Sequence, residues 1–69
     1  MSDERIAAAI AELKRSPHVS VETAGDAIGA GRNLAYEMAR NGELPVIHIG
    51  RKKIRVLSRP LLERLQISD

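Results

Sequence analysis

The feature that most constrains this chain is the Gly29-Ala30-Gly31 break between two short helical patterns, Val21 to Ile28 and Arg32 to Asn41. Ser20 offers a hydroxyl N-cap to the first pattern, and Gly42 suits the left-handed residue that ends the second. Two helices that cross steeply over a three- or four-residue turn must approach closely at the crossing. Ala24 and Gly25 are small enough to allow this, and Gly29 supplies the positive φ that such a turn needs. Ile28, Ala30, Ala35 and Met38 supply apolar contacts between the two helices. Together these offsets predict a helix-turn-helix over Val21 to Met38.

The flanking segments predict what packs around it. Asp3 to Lys14 is rich in alanine, acidic at its start and basic at its end, which favours a helix. Ile6, Ile10 and Leu13 recur at i, i+4 and i+7, and Ser16-Pro17 ends the pattern. This stripe either docks on the core or forms a dimerisation surface. Docking is favoured, because the rest of so short a chain has little core of its own. After Gly42, Glu43-Leu44-Pro45 reads as a connector. Val46 to Ile49 and Ile54 to Leu57 read as two strands of a hairpin around a Gly50-to-Lys53 turn. Alternation then places Ile47 and Ile49 on one face, with Ile54 and Val56 as partners. Ser58 is expected to cap a last helix from Arg59 to Leu65, with Pro60 tolerated in its first turn. The expected fold class is mainly α with a small β-hairpin, a winged helix-turn-helix with an extra N-terminal helix. The expected division is an amphipathic helix over residues 1–17 and the winged unit over residues 18–69.

Composition narrows the function classes. A 69-residue chain without cysteine has no disulfide, thiolate zinc site or thiol nucleophile. His18 and His48 lack a paired ligand pattern, so no metal is expected. With no phosphate-binding loop and little room for a substrate cavity, no catalytic residue, cofactor or small-molecule ligand is expected, and the chain is not expected to be an enzyme. No apolar run approaches the ~18 residues a membrane span needs, and the N-terminus lacks a signal-peptide core, so a cytoplasmic location is expected. Charge is unevenly placed. Met1 to Gly31 holds three basic and five acidic side chains, whereas Arg32 to Asp69 holds eight basic and four acidic ones. A basic half on a nearly neutral chain points to a polyanionic partner.

The second helix of the pair divides its faces cleanly. Leu34, Ala35, Met38 and Ala39 fall on one side, and Arg32, Asn33, Tyr36, Glu37 and Arg40 on the other. That polar face carries the chemistry of a DNA-reading helix. Arginine bonds guanine, asparagine bonds adenine, and tyrosine or a second arginine bonds phosphate. Glu37 either accepts from cytosine or repels wrongly placed phosphates. Arg51, Lys52 and Lys53 are three consecutive cations at a hairpin tip, without a nearby carboxylate in sequence, and Arg55 alternates onto the same side as Lys53. All four are candidate backbone contacts. Tyr36 is the one aromatic residue. One ring is too little for a single-strand stacking platform, so duplex DNA is favoured over RNA.

From Ser20 to Leu65 the chain resembles the excisionase and MerR-like winged helix-turn-helix proteins of phages and actinobacterial mobile elements. The resemblance lies in the small and apolar pattern of Ala24 to Ile28, in Tyr36, in Asn41-Gly42-Glu43-Leu44-Pro45 and in Ile49-Gly50-Arg51. It implies that Arg32 and Asn33 begin a recognition helix in the major groove. It also implies that Tyr36 and Arg40 support that helix, and that Arg51-Lys52-Lys53 touches an adjacent groove or backbone. Two positions depart from the family pattern: Gly31 stands where a serine or threonine N-cap is common, and Leu34 where a polar residue is common. The implied role is an excisionase that binds and bends DNA near an attachment site, beside an integrase and other copies of itself, in association with the nucleoid. A small Cro- or MerR-like transcription regulator is the alternative. An adaptor that meets an acidic protein through its basic wing is the alternative of another class.

Overall fold

In the computed structural model, which describes residues 3–67, the chain runs α1 (Asp3–Arg15), β1 (His18–Ser20), α2 (Val21–Ile28), α3 (Arg32–Arg40), β2 (Val46–Ile49), β3 (Lys53–Leu57) and α4 (Ser58–Leu65). The architecture is mainly helical, with a three-stranded antiparallel sheet in the order β1-β3-β2.

The helix ends show why these segments stop where they do. The Ser20 hydroxyl accepts from the Thr23 backbone N–H at 3.1 Å, so a side chain satisfies one of the free donors of α2. At its other end Gly29 takes φ 76°, and the Ala30 N–H reaches back to the Gly25 carbonyl at 2.8 Å. The same closing geometry ends α3: Gly42 has φ 79°, and the Glu43 N–H donates to the Met38 carbonyl at 2.9 Å. Both glycines hold a backbone conformation that a Cβ would disfavour.

The core is built largely from small side chains. Ala9 and Leu13 of α1, Val21, Ala24 and Ala27 of α2, and Ala35 and Ala39 of α3 close against Val19, Leu44, Val56, Leu61 and Leu62. Helix α1 therefore docks on α2 and α4 and shares their core. Its apolar stripe is centred on Ala9 and Leu13, with Ile6 and Ile10 half-buried at its edge.

Three local expectations are corrected. The first concerns hairpin register. Strand β3 begins at Lys53, so the turn holds Gly50, Arg51 and Lys52 rather than four residues. Ile49 therefore faces Lys53 and Ile47 faces Arg55, while Val46 pairs with Val56 and His48 with Ile54. A one-residue change in turn length moves every side chain of one strand to the opposite partner. Ile47 and Ile49 thus share their face with cations, and the core takes Val46 and Val56 instead.

The second correction is the strand β1, which pairs with β3 through His18–Leu57, Val19–Val56 and Ser20–Arg55. Three residues are too few for an alternation to be read in sequence. The third concerns Ser58. It lies inside α4 as the first helical residue, with Leu57 in the N-cap position and no side-chain cap bond. The Ser58 N–H donates to the Pro17 carbonyl at 3.0 Å, which ties α4 to the segment between α1 and β1. Its hydroxyl is buried and makes no protein hydrogen bond.

Candidate nucleic-acid interface

The close packing of α2 on α3 determines which side of α3 faces outward. A Cβ placed on Gly25 would sit 2.7 Å from the Ala35 Cβ and 3.3 Å from the Ala30 carbonyl oxygen. Atoms approach that closely only where one partner has no side chain, so Gly25 sets the separation of the two helices. Ala35 and Ala39 are buried at this seam, and Met38 is half-buried beside them. The opposite face of α3 presents Arg32, Asn33, Tyr36, Glu37 and Arg40, all exposed. These are the five side chains expected there.

Leu34 lies on the apolar side expected of it but is not covered there. It is 50% exposed rather than packed in the core. It lines the rim of an apolar groove of about 370 Å³ with Ile28, Met38, Leu44, Leu61 and Leu65. The helical wheel placed it near the apolar stripe, but the groove is open to solvent and leaves its side chain half exposed.

The start of α3 is open. Gly31 occupies the N-cap position with φ −69° and no side-chain cap bond. The amides of the first turn therefore have no side-chain acceptor from the cap residue, and their partial positive charge faces outward. Beside them the Arg32 Nε lies 3.3 Å from a carboxylate oxygen of Glu22, in the first turn of α2. Sequence reasoning missed Glu22. Its signal is tertiary, because the turn brings residues ten apart to adjacent helix starts.

The hairpin presents Arg51 and Lys52 in its turn and Lys53 at the start of β3, all three exposed. Gly50 takes φ 70° at the bend. Arg55 behaves differently from these three. It is half-buried in the central strand and its Nε donates to His18 Nδ1 at 3.1 Å across the sheet. It shares a sheet face with Lys53, as alternation requires, but its guanidinium is turned toward β1. His48 is exposed on β2. The exposed cations of α3 and those of the hairpin tip are thus joined by the Gly42-to-Pro45 connector. Arg64 donates to the Glu43 carbonyl at 2.6 Å and so anchors that connector to α4.

Among the described residues no cluster of three or more His, Asp or Glu could hold a metal, and no helix is long and apolar enough to cross a membrane. A scan against protein-family models gives no match, and neither the curated proteins nor the solved structures yield a significant similarity. The functional reading therefore stands on the residues and their placement.

Proposed function

We propose that the chain is a sequence-specific double-stranded DNA-binding protein of the winged helix-turn-helix type. In this reading α3 enters the major groove and the Gly50-to-Lys53 tip lies along neighbouring backbone. One observation carries the reading. A contact that only glycine permits holds α3 against α2, and this leaves Arg32, Asn33, Tyr36, Glu37 and Arg40 together on its outer face. Rigid presentation of planar hydrogen-bonding groups is what base readout needs. The open N-terminus of α3 suits a phosphate oxygen, and the three hairpin cations add sequence-independent attraction.

Arg55 has a smaller part in this reading than the three tip cations, because His18 holds its guanidinium. This reading invokes no chemistry on the DNA and no metal or cofactor. The resemblance to excisionases supports the narrower role. Copies would bind side by side near an attachment site and bend the DNA for an integrase, within the nucleoid. Side-by-side binding also supplies the specificity that one unit of this size lacks.

A band-shift assay with random duplex at low salt tests the class. Binding at micromolar protein that weakens steeply with salt is the expected result. No shift at that concentration would overturn the reading and favour the protein-adaptor alternative. Footprinting then tests the role: tandem direct repeats with bending are expected, whereas a single inverted repeat at a promoter would identify a dimeric regulator.

A further inference from the structure

Glu22 stands beside the start of α3. It occupies the first turn of α2, an element whose N-cap is already satisfied by Ser20. Its carboxylate lies 3.3 Å from the Arg32 Nε at the first position of α3. Both side chains stay largely in water, with relative exposures of 49% for Glu22 and 74% for Arg32. The pair is therefore weak enough to exchange, yet close enough to bias where the guanidinium points. We infer that Glu22 restrains DNA binding: it holds Arg32 in the free protein and competes with DNA phosphate for the guanidinium.

This inference rests on the DNA reading above. A guanidinium held by a carboxylate must give up that partner before it binds anything else. Against random duplex the replacement is a single phosphate, so the exchange gains little, and the Glu22 charge repels neighbouring phosphates as well. Against a guanine correctly placed in the groove, the guanidinium gains a bidentate pair of hydrogen bonds, which outweighs the exposed ion pair. The carboxylate therefore lowers the affinity of every complex that needs Arg32, random duplex included. Among the described residues no other ion pair joins α2 to α3, so the effect is assigned to this one contact.

Glu22→Gln tests it, since glutamine keeps the size and removes the charge. With wild-type protein shown to bind random duplex, the variant is expected to bind the same duplex about three- to fivefold more tightly at low salt. Its salt dependence should steepen by roughly one unit, because one more cation neutralises phosphate. In an Arg32→Ala background the same substitution should gain much less, a double-mutant cycle that isolates the pair from bulk charge. Circular dichroism of each variant checks that the fold is intact. Unchanged affinity and slope in Glu22→Gln would overturn the inference while leaving DNA binding in place. An equal gain with and without Arg32 would also overturn it, since Glu22 would then act only as a surface charge. Failure of the wild-type protein to bind duplex would instead bring down the DNA reading, and the inference with it.

Discussion

At the scale of single residues, Gly25 has the most consequence. Its hydrogen faces the Ala35 Cβ at a distance that excludes any larger group. Gly25→Ala should destabilise the protein by about 1–3 kcal/mol through overpacking, despite alanine's better helix propensity. Urea denaturation checks this, and adding Ala35→Gly should recover part of the loss by reopening the space. A stabilised single variant would mean that the helices separate freely. Glu12 gives a second residue-level expectation. The hydrogen bond from the Ser16 hydroxyl, then the hydrogen bond and charge of Arg15, hold its carboxyl below the ordinary value of 4.5. A carboxyl with a lower pKa in the folded state stabilises the fold above its unfolded pKa, and that contribution is lost as pH falls through the folded value. Glu12→Gln should therefore lower the melting temperature at neutral pH and have a smaller effect in acid below the carboxylate range. The contribution is small, because this pair faces solvent.

At the scale of elements, α3 and the hairpin tip are expected to contribute in different ways. Arg51→Ala combined with Lys52→Ala should weaken binding to all duplexes alike and flatten the salt dependence by about two units, as loss of phosphate contacts does. Asn33→Ala should instead relax base preference at one position, by about 1–3 kcal/mol, with little change in salt slope. Quantitative band shifts over a salt series separate the two patterns, and identical patterns would remove the division of labour. The elements themselves were largely legible in sequence. Ser20, Gly29 and Gly42 each act through local backbone chemistry, and each appears in the structure as the cap or helix stop expected of it. The hairpin was legible in kind but not in register. Its turn length depends on whether Lys53 pairs with Ile49, a choice made by the fit of Val56 into the core rather than by residues 50–53 alone.

At the scale of the whole molecule, a core without tryptophan or phenylalanine depends on close approach of small side chains. Leu13 is among its largest fully buried side chains, so Leu13→Ala should cost about 2–4 kcal/mol, a large share of the stability of so small a protein. Because α1 shares that core, amide exchange in α1 and α2 should slow to a common limit and be lost together in the variant. Independent fraying of α1 would show that it is an appendage. Sequence alone determined what depends on neighbours along the chain: the helix starts and stops, the small residues at the crossing, the polar face of α3 and the three cations of the tip. Backbone propensity, capping and helical periodicity act over a few residues, so they can be read there. Tertiary structure decided what depends on distant segments meeting. It added β1 to the sheet, turned Arg55 toward His18, left Leu34 at the rim of a groove and brought Glu22 to Arg32. The polar outer face expected of α3 is present, and the fold adds a carboxylate beside its first arginine.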